Sequence, residues 1–358
     1  MVLFGLGVQF HDCYRQLLLS LGGEPDFLCD NDPEKWGTVF FGKKCISPTD
    51  LGKLGEDTTV VITVRKYEDI HRQLCDMGLK NIFVACFDRS YDVVHSIKNL
   101  GKEKSANDGG PFDSQVKGKW TLVTGASRGI GRQIALAMAK LGSNTIAHSR
   151  QISHTKELLN ECRALGVRAE SIQAELGNPA EVEEMLDKLD NNFPPIDVVF
   201  NNAGISLPCG PDPMGVPSRD FLANYAVNTV APIRICYRLI PGMMQRGFGR
   251  LVNISSTIQK RPGEMAYSCS KAALSKFVHD MAPSLQNTGV MISLVCPGHV
   301  RSDMGGPNAP HPVESVIPGA LLGALLEEDV NGRWFIAQDY AGLSLPEAIK
   351  RAKFYYGQ

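Results

Sequence analysis

Short apolar runs rich in β-branched residues alternate with amphipathic stretches along most of this 358-residue chain. The apolar runs predict buried strands, and apolar residues that recur every three to four positions predict helices between them. Strands that alternate with helices favour an α/β fold around parallel sheets. The predicted strands lie at 2–4, 26–29, 38–41, 59–64, 81–86, 120–123, 144–147, 168–173, 196–200, 251–254, 290–295 and 332–337. The later predicted helices include 157–165, 179–189, 220–246 (interrupted around 229–232), 266–278, 312–327 and 345–354.

The chain is longer than a usual single domain, so we expect two. Residues 101–117 are polar and rich in Gly, Ser, Asp and Lys, which is typical of a linker. We therefore predict a small Rossmann-like domain at 1–100, a linker at 101–117 and a second domain at 118–358. The predicted fold class is α/β with two Rossmann-like domains, the C-terminal one a doubly wound parallel sheet with helices on both faces.

Composition narrows the classes of partner. The chain has 37 basic and 38 acidic side chains and a formal net charge of -1, without a basic stripe, so we expect no nucleic-acid partner. The ten cysteines form no CxxC pair, which favours reduced core residues in a cytoplasmic protein and no metal site. No apolar stretch approaches the ~18 residues of a membrane span, and no N-terminal signal pattern is present, so we expect no membrane partner.

Tyr267 and Lys271 are four residues apart in a predicted helix, so they share one face. A lysine held beside a tyrosine stabilises the phenolate and is expected to lower the tyrosine pKa from about 10, which makes the phenol a usable general acid or base. Ser255 and Ser256 end the strand that leads to this helix, and a hydroxyl there could hold a substrate oxygen.

The stretch TGASRGIG at 124–131 joins a predicted strand to a predicted helix. Such a glycine-rich turn presents backbone N–H groups and the positive helix end to a phosphate. The next strand ends in His148-Ser149-Arg150, where an acid would favour NAD and a cation favours the 2′-phosphate of NADP. Arg128 and Arg150 therefore favour NADP, with NAD possible.

Further polar positions follow the later strands. Asn202 and Gly204 lie in a polar turn that can approach a ligand, and Asn228 in mid-helix could hold a water that relays protons. In the first domain, Gly5 and Gly7 begin a GxGxxG pattern whose third glycine is replaced by Phe10. Asp30 lies about where a ribose-binding acid would be, so a second dinucleotide site in this domain is one hypothesis, and a module used only for packing or partner contact is the other.

Six motifs in order resemble the short-chain dehydrogenase/reductase family: TGASRGIG (124–131), NNAG (201–204), AVNTV around Asn228, NISS (253–256), YSCSK (267–271) and PGHVRSD (297–303). The resemblance covers about residues 118–340. It implies hydride transfer between a nicotinamide cofactor and a carbonyl or secondary alcohol, with Asn228, Ser256, Tyr267 and Lys271 as catalytic residues. It implies cofactor contacts from Gly125, Ser127, Arg128, Gly129, Ile130, Gly131, Arg150, Glu175, Leu176, Asn202, Ala203, Gly204, Tyr267, Lys271, Pro297, Gly298, Val300 and Ser302.

This chain departs from the family pattern in three places. Tyr267 follows Ser256 by only eleven positions, so the loop from Thr257 to Met265 is expected to set substrate preference. Ser302 replaces a threonine and keeps the hydroxyl expected to bind the cofactor amide. Glu175 replaces a common aspartate, which leaves the adenine contact open.

The resemblance implies a small-molecule substrate, for which we consider a sugar, a polyol or a related metabolite. It also implies a homodimer or homotetramer formed through helices near 220–246 and 265–287. The first 90 residues loosely resemble Rossmann-like modules of bacterial surface-polysaccharide proteins. Two other functions stay open, a sugar-nucleotide epimerase or dehydratase and a non-catalytic NADP-binding scaffold. The spacing TGxxxGxG, in place of TGxxGxxG, argues against the first. The presence of Ser256, Tyr267 and Lys271 together with Asn228 argues against the second.

Overall fold

The computed structural model describes residues 1–7, 10–64, 66–87, 94–100, 115–207, 212–256 and 262–356. The chain divides into two compact units, Met1–Gly110 and Pro111–Gln358, and each contains its own seven-stranded sheet. Most of the predicted linker, 101–117, lies outside the described residues, so the predicted domain bounds stay a prediction.

The first unit has the strand order β3-β4-β2-β1-β5-β6-β7. Its elements are β1 (Val2–Phe4), α1 (Phe10–Leu21), β2 (Phe27–Cys29), β3 (Val39–Phe40), β4 (Lys43–Ile46), α2 (Pro48–Gly52), β5 (Val60–Ile62), α3 (Glu68–Asp76), β6 (Ile82–Phe87) and β7 (Val94–Asn99). The strands β4, β2, β1, β5 and β6 are parallel, as the strand–helix alternation predicts. The edge strands β3 and β7 are antiparallel to their neighbours.

The apolar pattern of the sequence predicts neither the inner strand β4 nor the edge strand β7. An edge strand needs only one apolar face, and in β7 only Val94 and Ile97 pack against the core of the first unit. That sparse pattern does not stand out as an apolar run.

The second unit is a parallel sheet in the order β10-β9-β8-β11-β12-β13-β14. Its strands are β8 (Trp120–Val123), β9 (Asn144–Ser149), β10 (Ala169–Gln173), β11 (Val198–Asn201), β12 (Gly249–Ile254), β13 (Val290–Cys296) and β14 (Trp334–Ile336). The helices are α4 (Gly129–Lys140), α5 (Lys156–Ala164), α6 (Pro179–Asn192), α7 (Ser218–Tyr225), α8 (Ala231–Arg246), α9 (Met265–Met281), α10 (Leu322–Leu325) and α11 (Leu345–Tyr356). The chain winds outward in both directions from β8 and β11, so a crevice opens at the carboxyl ends of these two strands.

Two apolar cores cover the two faces of this sheet, which confirms the doubly wound fold. One core includes buried residues of α4, α5, α10 and α11. The other includes buried residues of α6, α8 and α9. Strand residues alternate between the cores, as in β8, where Leu122 joins one and Val123 the other.

The predicted helix at 312–327 is wrong. The segment consists of 3₁₀ turns at Val313–Val316 and Gly319–Leu321, followed by the single turn of α10. Pro318 explains the break, because proline lacks an N–H and disfavours helical backbone at the residue before it. The predicted interruption of the long helix at 220–246 is confirmed, and it takes the form of a π-helical turn at Ala226–Val230.

Candidate functional site

A glycine-rich turn at 124–131 links β8 to α4 beside the crevice at the carboxyl ends of β8 and β11. Gly125 and Gly129 adopt left-handed backbone, with φ of +64° and +57°. A Cβ on Gly131 would lie 2.3 Å from the carbonyl oxygen of Gly125 and 2.5 Å from Nδ2 of Asn202. Only glycine at 131 therefore lets the start of α4 pack this closely against the turn.

The NNAG turn after β11 is fastened to the glycine-rich turn. Oγ1 of Thr124 accepts the backbone N–H groups of Asn202 at 2.9 Å and Ala203 at 3.0 Å. Nδ2 of Asn202 donates to the carbonyl oxygens of Thr124 at 2.9 Å and Gly125 at 3.2 Å. These four hydrogen bonds hold the two turns together at the crevice.

The first turn of α4 suits a diphosphate. Arg128 is the N-cap residue and, among the described residues, no side chain caps the helix, so its first N–H groups remain for an anion. A Cβ on Gly129 would meet only the Cβ of Ser302, at 3.8 Å, within the described part of the chain. Among the described residues, the space within 4 Å of such a Cβ is thus nearly empty.

Two arginines lie beside this turn. Arg150 follows β9 directly and is exposed. Arg128 is also exposed, and its Nε lies 2.7 Å from Oδ2 of Asp303 in an ion pair. The carboxylate of Glu175 accepts the N–H of Gly177 at 3.1 Å, so it faces its own loop, and neighbouring Leu176 is buried in the core.

Tyr267 and Ser256 meet at the end of β12. Tyr267 lies in the first turn of α9, and its phenol hydrogen-bonds the side chain of Ser256. Burial raises the pKa of Tyr267 to about 12, although the bond from Ser256 opposes the shift. The expectation that the pKa of this tyrosine lies below its usual value is therefore wrong for the protein alone, because burial disfavours the phenolate more than the bond from Ser256 favours it.

Lys271 lies one helical turn beyond Tyr267. Its Nζ is buried and donates to the carbonyl oxygen of Ile254 at 2.8 Å. Burial lowers the pKa of Lys271 to about 8, so the ammonium form still predominates at neutral pH. A Cβ on Gly204 would lie 3.6 Å from this Nζ, which places the ammonium beside the NNAG turn.

The two serines of NISS have different surroundings. Oγ of Ser255 is buried and lies 2.9 Å from Oγ of Ser275 and 3.3 Å from the carbonyl oxygen of Lys271. Ser255 therefore fastens β12 to α9. Ser256 is half-buried and bonds the phenol of Tyr267. Its role as the substrate-binding hydroxyl stays a prediction.

Asn228 lies in the π-helical turn, a form that often marks functional sites. Its Oδ1 accepts the N–H of Ile205 at 2.9 Å, and its Nδ2 donates to the carbonyl oxygen of Ile205 at 2.8 Å and to Oγ of Ser270 at 3.0 Å. The side chain thus holds the loop after β11 against α9. Any water relay would have to use its backbone, and that role stays a prediction.

The loop after β13 reaches the glycine-rich turn. Nε2 of Gln338 donates to the carbonyl oxygen of Pro297 at 2.8 Å, and a Cβ on Gly298 would lie 2.6 Å from Cγ of Gln338. Val300 is buried, and Oγ of Ser302 accepts the N–H of Gly305 at 3.1 Å. The loop is thus braced by its own chain, and the predicted bond from Ser302 to a cofactor amide stays a prediction.

Sequence reasoning missed three positioning residues, Thr124, Gln338 and His148. Each acts through contacts between loops that are distant in sequence, so no local pattern marks them. For His148, the one available signal was a histidine directly after the apolar pair Ile146-Ala147. The predicted substrate loop is largely outside the described residues, which omit 257–261.

In the first unit, Asp30 is bound by its own chain. Its Oδ2 accepts the N–H of Leu6 at 2.5 Å and lies 3.2 Å from Nζ of Lys35, while its Oδ1 accepts the N–H of Asp32 at 2.9 Å. The carboxylate therefore holds the loop after β1. This is the carboxylate for which the sequence suggests a ribose contact.

The family model of the short chain dehydrogenases matches residues 119–312, more than half of this chain. The chain belongs to the short chain dehydrogenase family. This is a family of NAD(P)-dependent oxidoreductases. The match begins at β8 and includes the glycine-rich turn, Ser256, Tyr267 and Lys271. It does not include the first unit.

Relatives and solved structures agree with this assignment. A ketoacyl reductase, HetN, from Nostoc sp. is 36% identical over 196 residues, which are 52% of this chain and 64% of that protein. The chain therefore spans less than two thirds of this relative. A 3-oxoacyl-[acyl-carrier-protein] reductase from Synechocystis sp. is 33% identical over 227 residues, 62% of this chain and 89% of that protein. The structure of the angucycline C-6 ketoreductase LanV with bound NADP has a TM-score of 0.55 and 26% identity, covering 63% of this chain and 95% of LanV.

The described residues contain neither a helix that could span a membrane nor a metal-binding cluster. None of the helices there has the length and apolar character that a bilayer crossing requires. No group of three or more His, Cys, Asp or Glu side chains in those residues is placed to hold a metal ion.

Proposed function

We propose that this short chain dehydrogenase is an NADPH-dependent oxidoreductase that interconverts a small-molecule carbonyl compound and its alcohol. The observation that carries the proposal is the hydrogen bond between Tyr267 and Ser256, with the buried ammonium of Lys271 one helical turn away. These groups lie at the same strand ends as the open glycine-rich turn, so a proton donor and a dinucleotide would share one crevice.

The residues around the crevice fit a nicotinamide dinucleotide. The first turn of α4 would hold the diphosphate, and Arg128 and Arg150 would neutralise a 2′-phosphate. Their exposed guanidinium groups favour NADP over NAD, and LanV, whose structure contains NADP, supports the same preference. NAD is the competing cofactor that the experiment below distinguishes.

The proton chemistry follows from the side chains. When bound, NADPH supplies the hydride that the carbonyl carbon receives. The hydroxyl of Ser256 holds the carbonyl oxygen, and the phenol of Tyr267 donates a proton to that oxygen as negative charge develops on it. The high pKa of Tyr267 keeps the phenol protonated beforehand, and the ammonium of Lys271 stabilises the phenolate that remains. Oxidation of an alcohol follows the same steps in reverse.

For the substrate, we propose first a 3-oxoacyl compound, because the relatives from Nostoc and Synechocystis are named as ketoacyl and 3-oxoacyl reductases. A sugar or polyol is the second class, carried over from the loose resemblance of the first 90 residues. The test is NADPH and NADH consumption by the full chain with a panel of 3-oxoacyl thioesters, ketones, sugars and polyols. We expect NADPH to be preferred and at least one carbonyl class to be reduced. Normal NADPH binding with no turnover of any compound would favour the non-catalytic scaffold.

We propose that the protein functions in the cytoplasm as a homodimer or homotetramer formed through α8 and α9. Tyr237 of α8 is 51% exposed and contacts Phe277 of α9 edge-on, with ring centroids 5.6 Å apart. Met244, on the same helix, is 42% exposed. Light scattering should give a mass of two or four chains, and Tyr237→Glu should shift it toward the monomer. A monomeric wild-type protein would contradict this arrangement.

A further inference from the structure

A buried histidine connects the glycine-rich turn, β9 and the loop after β10. His148 lies in β9 and is 2% exposed. Its Nδ1 accepts the backbone N–H of Gly125 at 3.2 Å, and its Nε2 lies 3.1 Å from the carbonyl oxygen of Ala174. Gly125 belongs to the glycine-rich turn, and Ala174 directly follows β10, so one ring joins both to β9.

These partners fix the protonation state of the ring. A backbone N–H can only donate and a carbonyl oxygen can only accept, so Nδ1 must be bare and Nε2 must carry the proton. A proton on Nδ1 would face the N–H of Gly125 and break that bond. Burial independently lowers the pKa of His148 to about 4, which keeps the ring neutral at physiological pH.

The peptide groups of Gly125 are thereby held on both sides. His148 takes its N–H, and Nδ2 of Asn202 donates to its carbonyl oxygen at 3.2 Å. The N–H of Gly125 is therefore not available to a phosphate, and it serves to orient the turn. On the other side of the ring, Ala174 precedes Glu175 and Leu176, the pair predicted to contact adenine.

We propose that His148 is a positioning residue for the dinucleotide, which sets the spacing between the glycine-rich turn and the loop that begins at Ala174. The inference rests on the proposed function, since it assumes that NADP(H) binds across these two loops. It assigns His148 to cofactor affinity and leaves the proton transfer to Tyr267. Loss of the ring leaves a buried donor and a buried acceptor without partners, which should raise the Kd for NADPH roughly 10- to 100-fold.

Three substitutions in the full chain test this role. His148→Leu removes both bonds, His148→Asn keeps an acceptor near the position of Nδ1, and His148→Gln keeps a donor near the position of Nε2. We expect His148→Leu to raise the Kd for NADPH as above, while kcat at saturating NADPH stays within about twofold of wild type. The Asn and Gln variants should recover part of the affinity. If the Leu variant does not fold, those two variants carry the comparison with wild type.

A second measurement does not depend on the cofactor. The ¹⁵N chemical shifts of the His148 ring should show the neutral Nε2–H tautomer throughout pH 5.5 to 8, a window above the pKa of about 4. A protonated ring or an Nδ1–H tautomer at neutral pH would overturn the proposal, as would a folded Leu variant with unchanged Kd or one that loses kcat alone. If the wild-type protein bound neither NADPH nor NADH, the proposed function itself would fail, and the ring shifts would still report whether His148 joins the two loops.

Discussion

Replacement of Gly131 by alanine tests whether the close contact between α4 and the glycine-rich turn shapes the cofactor site. The added Cβ would lie 2.3 Å from the carbonyl oxygen of Gly125 and 2.5 Å from Nδ2 of Asn202. Carbon atoms prefer separations of about 3.5–4.0 Å, so the helix and the turn must separate by about 1 Å. Such overpacking typically costs about 1–3 kcal/mol.

Two smaller contributions modify this value. Separation also weakens the bond from Asn202 to Gly125, which is worth about 1 kcal/mol. Alanine is a better helix former than glycine by up to about 1 kcal/mol, which offsets that loss. We therefore expect Gly131→Ala to lower the free energy of unfolding by about 1–3 kcal/mol. Because the turn that would hold the diphosphate is displaced, NADPH affinity should fall at least tenfold.

The assays are urea unfolding and fluorescence titration with NADPH. Gly242→Ala is the matched control, because Gly242 lies inside α8 and, among the described residues, a Cβ there would meet only Nη1 of Arg246, at 3.2 Å. The control should keep wild-type NADPH affinity and be equally stable or more stable by up to about 1 kcal/mol. The reasoning would be refuted if Gly131→Ala matched the control in both stability and affinity.

Three further predictions concern the proton-transfer groups and the arginine beside the turn. Ser256→Ala should lower kcat for carbonyl reduction roughly 100-fold. Ser255→Ala should mainly lower the free energy of unfolding, by about 1 kcal/mol. Steady-state kinetics and urea unfolding distinguish the two variants, and equal losses of kcat would contradict the geometry. As pH rises through its pKa of about 8, Lys271 loses the charge that stabilises the phenolate. We therefore expect kcat/KM for NADPH in the reduction to be constant below pH 8 and to fall above it. A constant kcat/KM up to pH 10 would exclude phenolate stabilisation by Lys271. Asp303→Asn removes the exposed ion pair to Arg128, which is worth at most about 1 kcal/mol. Titration should therefore show NADPH affinity rising up to about fivefold, while NADH affinity stays constant. An equal change for both cofactors would show that Arg128 does not bind the 2′-phosphate.

Much of the second unit could be predicted from sequence because its strands are buried on both faces. Such strands appear as short apolar runs, and β8 has the predicted bounds, Trp120–Val123. The helical spacing of Tyr267 and Lys271 is also a local property, and α9 places both residues on consecutive turns. The break in 312–327 was readable in principle, since Pro318 sits inside the predicted helix.

Other features depend on contacts that no local pattern encodes. The hydrogen bonds between Thr124 and Asn202 and between His148 and Ala174 join residues far apart in sequence, so they form only once the sheet has formed. The direction of the pKa shift of Tyr267 depends on how deeply the phenol is buried, which spacing alone does not give. The sequence motif therefore predicts the site, whereas its electrostatics depend on the fold.

The most direct test of the proposed function is the effect of Tyr267→Phe on two quantities measured with the same preparation. The change removes the phenolic oxygen that bonds Ser256 and leaves the ring in place. We predict that the Kd for NADPH stays within about twofold of wild type, while carbonyl-dependent NADPH oxidation falls by about 100-fold or more, because no group remains to donate the proton. Turnover within tenfold of wild type, with NADPH still bound, would contradict the assignment of Tyr267 as the proton donor.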